Sequence, residues 1–187
     1  MESVIVSIKP EWIEKIVRGE KTIEVRKSAP KEVPFRAYIY CTKSKEYEVT
    51  VDEVRDDGKE RHHNGKGKVV AMFVCDRVEV FTPSEHGIKF KRFKALHETG
   101  LTVSEMREYA NGKPLYGWHI SDLKIYDKPK ELNEFYRPCP IENKDCENCI
   151  KYGKPYTWDF DEEIGKIFCT RRVTRPPQSY MFVEEVE

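Results

Sequence analysis

Apolar positions fall in short dense blocks separated by charged stretches. Residues 3–9 (Ser-Val-Ile-Val-Ser-Ile-Lys) are apolar enough for a strand buried on both faces. Pro10 fits the first position of a helix, where its missing N–H costs nothing. Trp12, Ile13, Ile16 and Val17 make one apolar helix face, Glu11, Glu14, Lys15 and Arg18 the other, and Gly19 supplies the stop. Residues 21–27 alternate as a strand, with Ile23 and Val25 on one side and Glu24 and Arg26 on the other. Residues 35–42 predict a third strand.

Residues 43–66 are polar, with Asp-Asp-Gly and Asn-Gly turn signals, and predict a hairpin or loop around a weak strand at Tyr47–Val54. Residues 67–81 are the strongest strand pattern, and residues 115–126 predict another long strand. Between them Thr102-Val-Ser-Glu105 is a capping box that opens a helix ending at Asn111-Gly112. The chain closes on the alternating run 179–186. Seven short strands with two or three helices predict an α+β domain built on a closed or half-closed β-barrel. The regular alternation of a parallel α/β sheet is missing.

The composition shifts after Lys128-Pro129. Residues 137–163 are rich in Cys, Pro and acid and only weakly periodic, and an irregular insertion is expected over 137–172. The rest of 1–187 reads as a single domain, a size one hydrophobic core serves. Lys plus Arg and Asp plus Glu each total 33, so net charge is zero and gross basicity cannot drive nucleic-acid binding. No apolar run approaches the roughly 20 residues of a membrane helix, and Met1-Glu2-Ser3-Val4 does not open a signal peptide. A cytoplasmic protein with no membrane partner is expected. The sequence has no phosphate-binding loop and no dinucleotide fingerprint.

Lys9-Pro10, followed by Gly19-x-Lys21-x2-Glu24-x-Arg26, resembles the signature of the ASCH domain family, a group within the PUA-like superfamily of small β-barrels. Gly67–Val80 looks like that family's central strand. Gly100-Leu101-Thr102 through Tyr116-Gly117-Trp118-His119-Ile120 looks like its second helix and the strand after it. Pro176-Pro177-Gln178-Ser179-Tyr180 looks like the last strand entry of phage and mobile-element members. By this resemblance the chain is a longer member with a Cys-rich insertion. The resemblance implies a cleft, lined by the motif and by Lys9 at its start, that receives RNA, single-stranded nucleic acid or a nucleotide. It also implies an alternative, a hydrolase in the same cleft: an amidohydrolase on modified cytidine or a ribonuclease. Members of the first kind carry threonine where this chain has Glu24, and use a further acid, for which Glu79 is the nearest candidate.

In that frame Lys21 and Glu24 are the candidate catalytic pair. A desolvated lysine serves as nucleophile or base, and a carboxylate moves a proton. Glu24 and Arg26, about 7 Å apart on one strand face, would otherwise form an ordinary surface ion pair. Lys9, Lys21, Glu24, Arg26, Trp118, Ser179 and Tyr180 are the candidate ligand contacts. Trp118 would stack on a base, and Gly117 would permit close approach. His119 falls on the face opposite Trp118 and is read as structural. Residues 89–94 interleave four cations with two aromatics, and Arg171, Arg172 and Arg175 form a second basic cluster. Acid gathers instead in 127–163, with ten acidic and six basic residues.

Cys41 and Cys75 sit in apolar runs and are expected to be buried. Cys139, Cys146, Cys149 and Cys169 form a C-x6-C-x2-C-x19-C pattern whose thiolates suit one structural zinc. Such a zinc-ordered segment would also serve as a protein-interaction module, the third reading.

Overall fold

The computed structural model describes residues 1–45, 50–54, 60–84, 87–90, 94–138 and 171–185. Strand β1 (Glu2–Ile8) runs into helix α1 (Pro10–Val17) and strand β2 (Ile23–Arg26). Next come β3 (Phe35–Cys41), the hairpin β4 (Thr50–Val54) and β5 (Glu60–Asn64), β6 (Val69–Cys75), β7 (Val78–Ser84) and β8 (Gly87–Lys89). Helices α2 (Ala95–Thr99) and α3 (Val103–Ala110) precede β9 (Leu115–His119), β10 (Ser121–Lys130), a 3-10 turn at Leu132–Glu134, and β11 (Tyr180–Val183).

Two sheets pack in a barrel-like α+β arrangement, as expected. One has the order β10-β6-β3-β1-β11 and the other β2-β9-β7-β8. The β1–β3 pair is parallel, with Val4 opposite Ala37, because α1 and β2 cross over between them. β1 is buried on both faces. Val4, Val6 and Ile8 join Phe35, Phe73 and Trp118 in the main core, while Ile5 faces Tyr38, Phe135 and Val183. A third core lies under α3, where Met106 and Ala110 meet Ile23, Val25, Phe81 and Leu115.

The two longest predicted strands both break. The run 67–81 divides at Asp76-Arg77, and the run 115–126 divides at Ile120, two residues before Asp122 with its φ of +47. In each case the halves belong to different sheets. β6 pairs with β10 and β7 with β9, so the two bends sit side by side and turn one ladder from sheet to sheet. Local pattern does not reveal such a corner, since the residues on both sides of it remain good strand formers. Three further departures are smaller. α2 and β8 lie in stretches without a regular apolar period, and β11 stops at Val183. The hairpin expected within 43–66 forms from β4 and β5. The capping box is present as predicted: Glu105 N–H donates to Thr102 Oγ1 at 3.2 Å, and Thr102 N–H to Glu105 Oε2 at 2.7 Å.

Cys41 and Cys75 are buried, as expected. Among the described residues no helix is long and apolar enough to cross a membrane.

Candidate functional site

The end of β1, helix α1, the Lys21–Arg26 segment and helix α3 converge on one cavity of about 320 Å³. Ser7 comes from the first, Trp12 and the N-cap residue Lys9 from the second, Lys21, Glu24 and Arg26 from the third, and Glu105 and Tyr109 from the fourth. The fold therefore brings the whole charged motif into one wall.

The three charges are nearly sealed. Lys21, Glu24 and Arg26 are 2%, 6% and 7% exposed. Lys21 Nζ donates to Ile23 O at 2.8 Å and to Thr99 O at 2.6 Å, and it meets Glu24 Oε2 at 3.3 Å. An ammonium has three N–H donors; two are hydrogen-bonded to carbonyls, and the charge is paired with Glu24. Thr99 O is a terminal carbonyl of α2 that the helix leaves open, and Lys21 closes it. Burial pulls the Lys21 pKa below its ordinary value, and Glu24 opposes that pull.

Glu24 faces both cations, with Oε1 3.0 Å from Arg26 Nε. That contact is an ion pair misaligned for a hydrogen bond, so the Nε–H has no acceptor among the described residues. Arg26 Nη2 donates to the Ser7 carbonyl. The Tyr109 hydroxyl shares a hydrogen bond with Arg26; burial raises the Tyr109 pKa and Arg26 draws it back. Gly100 ends α2 at φ +67, a left-handed turn that brings the chain against Lys21 and Trp12.

Not every expected residue reaches the cavity. Lys9 lines it, with its side chain 70% exposed and 3.7 Å from Glu11. Trp118 does not: it is fully buried, edge-on to Phe35 at 4.9 Å and to Tyr180 at 5.2 Å. It faces the barrel interior beneath Glu24, its cross-strand neighbour, where apolar side chains close over it. Tyr180 packs on Trp118 and Phe182 rather than on the cavity. Ser179 stands one layer behind the wall, its carbonyl accepting from Ser7 N–H at 3.3 Å. Gly117 does allow a close approach, but to Phe81 and Ile23 of this chain.

Glu79 lies away from the cavity and meets His119, Oε1 to Nε2 at 2.9 Å. Arg77 Nη2 lies 3.1 Å from the other ring nitrogen. Of the basic run 89–94, residues 91–93 lie outside the described residues, and Phe90 packs against Phe81 at 5.1 Å. Arg171 pairs with Glu184 at 2.8 Å and Arg172 lies over the Tyr136 ring, which ties two members of the second basic cluster to the protein itself. Cys139, Cys146, Cys149 and Cys169 lie outside the described residues.

Seven lining residues are not among the candidates, and four of them are polar or aromatic: Ser7, Trp12, Glu105 and Tyr109. Trp12 reads as part of the apolar face of α1, yet the fully buried stripe is Pro10, Ile13 and Ile16. Tyr109 lies beside the buried pair Met106 and Ala110 of α3. An aromatic residue flanking a buried stripe is the one available signal, and it is weak without the neighbouring elements.

The family model described as the ASCH domain matches residues 6–156. The match spans the whole charged motif and extends past Cys139, Cys146 and Cys149. Among solved structures, ASCH from Zymomonas mobilis is similar at 17% identity over 98% of this chain and 88% of that one, with a TM-score of 0.48. A tyrosine-to-phenylalanine mutant of the Zymomonas mobilis protein is similar at 16% identity over 99% and 92%, with a TM-score of 0.47. No curated protein sequence matches the chain significantly.

Proposed function

Because the chain belongs to the ASCH domain family, we propose that it is an RNA- or nucleotide-binding module that takes its ligand in the cavity under α1. The family as a class is RNA-binding and PUA-like. The observation that carries the reading is the sealed Lys21–Glu24–Arg26 cluster opening onto a cavity with two aromatic residues. Burying three charges is expensive, and a fold needing only stability does as well with apolar side chains there. Desolvated charges at a concave surface, with a lysine whose pKa burial lowers among them, mark a functional site. Glu24 accepts the N–H groups of a base edge, Arg26 holds Glu24 in place and has an Nε–H without an acceptor, and Lys21 braces the carboxylate from the other side.

The test is a titration of purified protein with a short mixed-sequence RNA and with mononucleotides, followed by tryptophan fluorescence. Binding by the native protein and its loss in Glu24→Gln and Arg26→Gln, both still folded by circular dichroism, is the expected result. No binding of either probe overturns the reading.

A hydrolase in the same cavity is the second reading, and the lowered pKa of Lys21 beside Glu24 is what favours it. Incubation with RNA and with modified nucleosides, including acetylated cytidine, read by mass spectrometry against Glu24→Gln, decides it. A product that the variant does not form makes the protein an enzyme. Zinc at Cys139, Cys146, Cys149 and Cys169 is a separate part of the proposal and rests on sequence spacing alone. Metal content near zero in folded protein would remove it, and with it the zinc-ordered interaction module.

A further inference from the structure

Two aromatic residues line the cavity, Trp12 from α1 and Tyr109 from α3. Each carries a lysine ammonium over its ring. Lys15 Nζ lies 4.7 Å from the Trp12 ring centre, and Lys27 Nζ lies 4.8 Å from that of Tyr109. Trp12 is half-buried and Tyr109 is 37% exposed. Among the described residues neither lysine is engaged in an ion pair.

The two lysines stand at opposite ends of β2. Lys15 lies beside Gly100, which touches Lys21 ahead of the strand. Lys27 directly follows Arg26 at its end. The strand between them spans about 10 Å and presents Glu24 and Arg26 to the cavity. The order along the wall is therefore cation and ring, then carboxylate and guanidinium, then ring and cation.

We propose that the cavity takes one base from within a single strand of RNA, stacked against Trp12 and Tyr109, with the phosphates on its two sides held by Lys15 and Lys27. This rests on the nucleic-acid reading above and narrows it to an internal nucleotide. A free nucleoside brings no charge and leaves both lysines unused. A mononucleotide uses one. An internal nucleotide has a phosphate on each side. The cavity volume of about 320 Å³ is at the small end of ligand pockets, roughly 300–1,000 Å³, so neighbouring nucleotides stay outside, over its mouth. One group works against the arrangement. Glu105 lines the cavity and lies within electrostatic reach of Lys15, though its carboxylate is already bonded to Thr102.

The experiment compares a mixed-sequence RNA trinucleotide, nucleoside 5′-monophosphates and free nucleosides across a salt series. The trinucleotide should bind tightest, with log K falling against log salt at a slope of about −1.4 for two phosphates. Lys15→Gln and Lys27→Gln should each flatten that slope by about 0.7 and leave nucleoside affinity unchanged. Trp12→Ala and Tyr109→Ala should weaken all three probes by roughly 5- to 150-fold, while Tyr109→Phe keeps the ring and the binding. Glu105→Gln keeps a capping side chain and should tighten the trinucleotide. Nucleosides binding as well as the trinucleotide, or slopes unmoved in both lysine variants, would overturn the strand reading and leave a base-binding cavity standing. No binding of any probe would overturn both.

Discussion

Lys21 Nζ lies 3.3 Å from Glu24 Oε2, and both side chains are nearly closed to solvent. The pair joins two parts of the fold, because the same ammonium also closes the end of α2 through Thr99 O at 2.6 Å. Lys21 thus holds Glu24 and the α2 terminus together at the cavity. Two of its protons are spent on carbonyls and its charge is paired with Glu24, so in this arrangement it orients the carboxylate rather than offering a phosphate site.

Removing the lysine leaves Glu24 with one cation and Thr99 O with no donor. Lys21→Met should therefore destabilise by about 3–5 kcal/mol, the cost of breaking a buried pair. Urea unfolding checks it. A loss below about 1 kcal/mol would mean that water reaches the site and screens the pair.

The same residue gives the protein a pH signature. The folded pKa of Lys21 lies below 10.5, chiefly through burial. The unfolded chain then binds the proton more tightly, and this contribution to stability rises with pH from the folded pKa up to about 10.5. The thiols of Cys41 and Cys75, pushed up to about 11 and about 12 by burial, act in the opposite sense. Their stabilisation is full below 9.0 and is lost as pH rises through those values. Comparing native protein with Lys21→Met cancels the thiols. The stability difference should move in favour of the native protein as pH rises toward 10.5. A difference independent of pH would contradict it.

Trp118 and Trp12 should separate stability from binding. Trp118→Ala empties a fully buried position and should cost about 3–5 kcal/mol of stability. Trp12→Ala should cost little stability and about 1–3 kcal/mol of RNA affinity. Paired unfolding and binding curves test this, and the reverse pattern would place the stacking residue in the wrong element.

Gly117→Ala is expected to be disruptive for a reason unrelated to ligand. Its methyl group would meet the Phe81 ring at 2.6 Å and Ile23 at 2.8 Å. Overpacking of that kind costs about 1–3 kcal/mol, readable as a lowered melting temperature. An unchanged melting temperature would show that Phe81 moves aside freely.

Native protein treated with a thiol-alkylating reagent near neutral pH should keep Cys41 and Cys75 unmodified. Their raised pKa values leave a thiolate fraction of about one in a thousand or less at about pH 8. Peptide mass spectrometry before and after urea counts them, and rapid modification of either one in folded protein would contradict its burial.

The sequence by itself determined β1, α1, β2 and β3, the capping box at Thr102, and the motif Lys21, Glu24 and Arg26. Each is written in neighbouring residues: an apolar run, a proline at a helix start, an acid three positions after a threonine, alternation along a strand. It also placed His119 and Trp118 on opposite faces, because strand alternation is local. The tertiary structure alone decided where those faces point. Trp118 looked available for stacking until β1, β3 and β11 closed over it with Val4, Phe35 and Tyr180. Trp12 looked like one more member of the apolar α1 face, and Tyr109 carried no local signal, until α1 and α3 were set around one cavity. The bends at Asp76-Arg77 and Ile120, which divide the ladder between two sheets, follow from barrel closure. Closure is a property of strands far apart in the chain, and no window of local pattern contains it.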